Sequence, residues 1–256
     1  MAKANRTGRG VLIVVGVGSA GLAVSEAFVR AGDQVFLLCD PSAEREVLEA
    51  ISEVFDARDL VPPSLVCADL NRSQAADTAL ARVREQCASL DVLVIASERA
   101  RGVAGLAAQN LQGMSGALEA GSWPLIAGLH AIHRVFGDYP RHAIALSDDA
   151  SDLYEPAGAY RAISSAVLET FTRYMATHLR EHGVLVNAVR VPPAWPTSAA
   201  SDELETDQHA ARAELGQVVV VLCSGLLDAM SGQVVTMDHG RGFGGAGALE
   251  RSGGAA

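Results

Sequence analysis

Seven short apolar runs recur along the chain with helix-like stretches between them, and this alternation limits the possible fold more than any other feature. The runs are VLIVV (11–15), QVFLL (34–38), SLVC (64–67), DVLVIA (91–96), HAIAL (142–146), VLVNAV (184–189) and QVVTM (233–237). Most lack the polar–apolar alternation of a sheet with one wet face, which is how strands covered on both faces read. Between them apolar residues return at helical spacing. Ala23, Val24, Ala27 and Phe28 form one such stripe, and Val47, Leu48 and Ile51 form another after Pro41, a residue suited to a helix start. Helical patterns also fill 75–88 and 156–182. Strand and helix in alternation predict an α/β fold: a Rossmann-like, three-layer, doubly wound and mainly parallel seven-stranded sheet.

The chain has 256 residues, 49% of them hydrophobic. That is enough for one sizeable core and short of two average domains. One domain is expected over 11–242, between a flexible N-terminal segment (1–10) and a flexible Gly/Ala-rich tail (243–256). The net charge of -10 argues against nucleic acid or an anionic membrane as partner. No run approaches the ~18 apolar residues of a membrane span, and MAKANRTGRG is not a signal peptide, so the cytoplasm is the expected location. Cys39, Cys67, Cys87 and Cys223 form no CxxC pair and read as reduced thiols. His130/His133 and His178/His182 have helical spacing, but no third ligand is positioned in sequence and no H-E-x-x-H occurs, so no metal is expected. Trp123 is expected to pack.

VLIVVGVGSAG runs from a strand through Gly16, Gly18, Ser19 and Gly21 into a helix. This is G-x-G-x-x-G in the context its chemistry requires. The first glycine makes the tight turn, the second lets backbone approach a pyrophosphate, and the third lets helix and strand pack closely. Asp40 ends the second strand nineteen residues after Gly21. A carboxylate there accepts both ribose hydroxyls of the adenosine half and repels a 2′-phosphate, which favours NAD(H) over NADP(H). The competing possibility is a tight turn that binds nothing.

From Val11 to about Gly240 the order of parts resembles the short-chain dehydrogenase/reductase family. Cys67-Ala68-Asp69-Leu70 is similar to its third-strand exit, where an aspartate contacts adenine. Leu90-Asp91-Val92-Leu93-Val94 is similar to its fourth-strand lead-in. Ser147 precedes Tyr160 by thirteen residues, as the family's catalytic serine precedes its tyrosine. HGVLVNAVRV is similar to the strand after its catalytic helix. Val191-Pro192-Pro193 with Thr197 resembles the segment that holds the nicotinamide amide, and Ser231-Gly232-Gln233-Val234 with Asp238 resembles its last strand. The resemblance implies cofactor contacts at Gly16, Gly18, Ser19, Gly21, Asp40, Asp69, Ala96, Pro192 and Thr197. It implies a substrate pocket near Ser97, Tyr154 and Trp195. It also implies homo-oligomers, dimer or tetramer, built through helices near 122–137 and 156–182.

The departures concern the chemistry. The usual glycine spacing is G-x-x-x-G-x-G. The N-N-A-G after the fourth strand reads Ile95-Ala96-Ser97-Glu98, the Pro-Gly step is Pro192-Pro193, and the mid-chain asparagine is missing. The lysine expected four residues after the tyrosine is Ser164, in a chain whose single lysine is Lys3. A free phenol titrates near ~10 and needs a neighbouring cation to act as a base near neutrality. Ser164 supplies none. Arg161 is about 100° around the helix from Tyr160, on a different face.

Three readings follow. One is an atypical NAD(H)-dependent oxidoreductase acting on a carbonyl or secondary alcohol of a small metabolite, with Tyr160 moving the proton, Ser147 holding the oxygen, and a water or arginine replacing the lysine. The second is an inactive subunit paired with an active paralogue. The third is a non-redox enzyme on the same scaffold, such as a dehalogenase-like lyase, dehydratase or cyclase, working without a cofactor.

Overall fold

The computed structural model of the chain describes residues 8–16, 19–97, 108–148, 157–191 and 202–238, with the backbone alone for Ser19 and 202–210. Seven parallel strands form one sheet in the order β3-β2-β1-β4-β5-β6-β7. They are β1 (Gly10–Val15), β2 (Gln34–Cys39), β3 (Ser64–Cys67), β4 (Val92–Ala96), β5 (His142–Asp148), β6 (Leu185–Val191) and β7 (Val234–Thr236). The helices are α1 (Ser19–Arg30), α2 (Glu44–Asp56), α3 (Ser73–Arg84), α4 (Leu111–Gly121), α5 (Trp123–Phe136), α6 (Ala159–His178) and α7 (Asp202–Leu222). This is the doubly wound α/β fold the apolar alternation implies. The order reverses between β1 and β4, so the crevice beyond their carboxyl ends is where such sheets bind ligands.

The near-continuous apolar runs are explained by helices on both faces. Along β1, Val11, Ile13 and Val15 join the cluster of Phe28, Phe55 and Val219 from α1, α2 and α7. Leu12 and Val14 join the opposite cluster with Leu80, Leu129 and Leu168 from α3, α5 and α6. Each fully buried leucine, isoleucine or phenylalanine contributes roughly 1.5–3 kcal/mol.

Local chemistry sets the element ends. Asp40 accepts from the Ser42 N–H (2.9 Å) and starts a short 3-10 turn, Pro41–Ala43, that leads into α2. On α2, Val47, Ile51 and Phe55 are buried, while Leu48, expected on that stripe, is exposed. The helix expected over 156–182 is described from Ala159 and stops at His178, followed by a 3-10 turn, Arg180–His182, that Gly183 closes at φ +72°. Trp123 is 41% exposed, against the expectation that it packs. It occupies the first position of α5, where the next residue, Pro124, is the one that turns inward. His130, His133, His178 and His182 are exposed, and His133 stacks on Tyr139 with ring centroids 4.2 Å apart. Among the described residues no three histidines, cysteines or carboxylates converge as metal ligands, and no helix is long and apolar enough to cross a membrane.

Candidate functional site

A cleft of about 310 Å³ opens beyond the carboxyl ends of β1 to β4. Gly16, Asp40, Asp69 and Ser97 line it, together with Gly116 and Glu119 of α4. Four residues singled out from sequence thus meet at one place because four strand ends meet there. Gly16 follows β1, and its N–H donates to the Ala96 carbonyl at 3.4 Å, tying the glycine turn to β4. Gly21 permits a close approach: a Cβ there would stand 2.6 Å from Val15 Cγ1 and 3.2 Å from Ala96 Cβ. Ser97 donates to the Gly121 carbonyl at 3.5 Å. Glu119 went unnoticed in sequence, because only the lean of α4 over the sheet edge brings it to the cleft. Gly18, Tyr154, Pro192, Trp195 and Thr197, and the side chain of Ser19, lie outside the described residues.

Both carboxylates have part of their hydrogen-bonding capacity committed. Asp40 Oδ1 accepts from the Ser42 N–H and hydroxyl, the latter at 2.6 Å, and no partner is seen for Oδ2 among the described residues. Asp69 Oδ1 accepts from the Asn71 N–H at 2.9 Å, and its Oδ2 lies 3.3 Å from Arg72 Nε. Beneath them, Cys39 and Cys67 are register partners on β2 and β3 whose sulfurs meet at 3.4 Å as free thiols. Burial and the bond to Cys67 push the Cys39 thiol up to about 12, and burial raises Cys67. These sulfurs pack and do not ionise near neutrality.

The serine and tyrosine are placed quite differently. Tyr160 lies in the first turn of α6, 5% exposed, with its hydroxyl held against α4. It accepts from the Asn110 N–H at 2.6 Å and donates to the Asn110 carbonyl at 3.0 Å. Gly113 makes room for the ring, since a Cβ there would come 2.6 Å from Tyr160 Cε2. One turn on, Ser164 is buried and donates to the Ala117 carbonyl at 3.1 Å, where a Cβ on Gly121 would strike its hydroxyl. Ser164 is therefore a packing and hydrogen-bonding contact between α6 and α4.

Ser147, at the end of β5, donates to the buried Glu169 carboxylate at 2.9 Å. Glu169 also receives Arg190 of β6 through two bonds, 3.0 and 2.8 Å, with Arg173 at 4.0 Å. Beside it, Asp148 accepts from Ser165 at 2.9 Å and lies 3.3 Å from Arg161 Nε. Arg161 Nε thus faces Asp148, with which it shares charge. Arg161, Ser165 and Glu169, spaced by four along α6, form a largely buried polar network against the ends of β5 and β6, with Arg173 at its exposed margin. Neither Ser147 nor Tyr160 lines the cleft. The expected presentation of the two hydroxyls side by side to one substrate oxygen is replaced by separate internal contacts.

The chain is similar to known proteins in sequence and fold. The family model described as enoyl-(acyl carrier protein) reductase matches residues 16–241. The enoyl-[acyl-carrier-protein] reductase [NADH] of Buchnera aphidicola is 29% identical over 90 residues, 30% of this chain and 35% of the relative. The matching region thus spans about a third of that curated relative. Among solved structures, the enoyl-[acyl-carrier-protein] reductase (NADH) of Aquifex aeolicus superposes with a TM-score of 0.71 at 20% identity, covering 92% of this chain and 98% of that one. A variant actinorhodin polyketide ketoreductase solved with NADPH gives 0.74 at 19%, covering 94% and 99%. A dehydrogenase/reductase of Sinorhizobium meliloti gives 0.74 at 19%, covering 91% and 95%.

Proposed function

This chain belongs to the short-chain dehydrogenase/reductase family of oxidoreductases, and from that premise we propose that it binds NAD(H) and interconverts a carbonyl and a secondary alcohol on a small metabolite. The observation that carries the proposal is the cleft beyond β1 to β4, where a glycine turn meets two carboxylates. The close approach that Gly21 permits is the kind a dinucleotide cradle needs.

Each residue has a task in this reading. Asp40 Oδ2 accepts from a ribose hydroxyl, and its charge disfavours a 2′-phosphate. Asp69 takes the adenine edge. The first turn of α1 offers N–H groups and its positive dipole end to the diphosphate. A nicotinamide cofactor held there would supply the hydride chemistry that joins carbonyl and alcohol. Tyr160 supplies or removes the proton at the substrate oxygen by exchanging its bond to the Asn110 carbonyl for that oxygen. The Asn110 N–H stays as a donor to the tyrosine oxygen while its proton is away, in place of a cation. Ser147 donates its O–H to Glu169, so its lone pairs are free to accept from a substrate hydroxyl. The exposed apolar side chains Trp123 on α5 and Ile163 and Tyr174 on α6 support assembly through these two helices; light scattering that finds only monomer argues against it.

The test is titration with NADH and NADPH by calorimetry, then a carbonyl-substrate screen with the preferred form. NADH is expected to bind on the order of tenfold tighter or more. Absence of saturable binding by either would overturn the proposal. The closed Tyr160–Asn110 contact favours a second reading, a dinucleotide-binding subunit with no turnover of its own. Turnover by the purified chain without a partner would exclude it.

A further inference from the structure

Helix α4 meets its surroundings through two faces. Gly113, Ala117 and Gly121, spaced by four, pack on α6: a Cβ at Gly113 would come 2.6 Å from the Tyr160 ring, Ser164 donates to the Ala117 carbonyl, and a Cβ at Gly121 would strike the Ser164 hydroxyl. With that face fixed, Gly116, Glu119 and Ala120 are turned to the cleft. Of these three, Glu119 alone has a side chain longer than a methyl, and a Cβ on Gly116 would meet open space. Glu119 therefore joins Asp40 and Asp69 as a third carboxylate lining the same volume. At about 310 Å³ that volume is at the small end of the ~300–1,000 Å³ usual for ligand sites, closer to a nucleoside than to a whole dinucleotide. Leu38, Ala68, Leu70 and Pro124 give it apolar walls for the faces of a flat base, which leaves the acids for its polar edge. Part of the capacity of Asp69 is taken, since Oδ1 accepts from the Asn71 N–H and Oδ2 lies 3.3 Å from Arg72 Nε.

We propose that Glu119 is a specificity-determining residue for the nucleotide base, accepting from the exocyclic amine of adenine alongside Asp69. The assignment rests on the NAD(H) reading above and adds to it a choice among bases. An ionised carboxylate only accepts, so it favours the 6-amino group of adenine and repels the 6-oxo group of hypoxanthine or guanine. An amide in its place both donates and accepts, and serves either base. The test reads binding and needs no turnover.

The experiment is calorimetric titration of the full chain with NADH and with the reduced form of nicotinamide hypoxanthine dinucleotide, which carries an oxo group where adenine has its amine. NADH is expected to bind at least about tenfold tighter. Glu119→Gln should narrow that ratio to about threefold or less, chiefly by improving the hypoxanthine ligand, while the thermal transition stays in place because the side chain is exposed. Glu119→Ala should weaken NADH about threefold or more and leave the hypoxanthine ligand no weaker. A carboxylate acting only through its charge would shift both ligands alike, so a ratio unchanged in Glu119→Gln, with NADH still bound, overturns this assignment and leaves the NAD(H) reading standing. No saturable binding of NADH by the native chain overturns both.

Discussion

The two halves of the sheet's carboxyl edge are built on opposite plans. At β1 to β3 the strand ends open onto a cleft, and the side chains there keep spare capacity, as Asp40 Oδ2 does. At β5 and β6 the strand ends close onto α6, and every polar group described there has an internal partner: Ser147 with Glu169, Asp148 with Ser165, Tyr160 with Asn110. The open half relies on a glycine turn and the position of one acid, which tolerate change nearby. The closed half depends on several side chains pairing with one another, so a change at one of them is felt by the rest.

That contrast can be broken at its strongest point. Glu169→Gln removes the negative charge 2.8 Å from Arg190, whose side chain is only 15% exposed. A loss of about 3–5 kcal/mol is expected by urea denaturation; a change under ~1 kcal/mol would mean the network is not what closes this half. Asp40→Asn addresses the open half. It should weaken NADH by roughly 10- to 100-fold and narrow the gap to NADPH, with little change in melting temperature. Tyr160→Phe strips both bonds from the Asn110 backbone and should cost about 1–2 kcal/mol in thermal unfolding. A tyrosine kept only for proton transfer would leave stability untouched. The smallest effect is with pH. Cys39 and Cys223 are both pushed up to about 12, chiefly by burial, from an ordinary value of 9.0. Their protonated forms are favoured by folding, so this contribution is whole below about pH 9 and fades as the pH climbs toward about 12. Both sit in the α1–α2–α7 layer, so hydrogen exchange at rising pH should loosen β2 and α7 ahead of β5, and Cys39→Ala should flatten the trend.

What the sequence reveals divides along the same line. The strand runs, the glycine turn, Asp40 and Asp69 are readable because backbone geometry fixes their places within a short stretch. Asn110 reaches Tyr160 from 50 residues away, and Arg190 reaches Glu169 from 21. No local pattern announces such pairs. One hint was present: Ser165 and Glu169 put polar groups four apart on a helix face that packs on the sheet, with Arg161 and Arg173 flanking them. Polar residues on a face destined for burial are there to be paired. Trp123 misled because size was taken for burial, whereas a helix's first position points where the chain enters.

The contact between Gly121 and Ser164 limits what position 164 can hold. Two helices meet there over a small hydroxyl and a bare α-carbon, and the space a long amine would need is filled. A lysine introduced at 164 alone would wedge the pair apart, so such a side chain fits only if both helices change together.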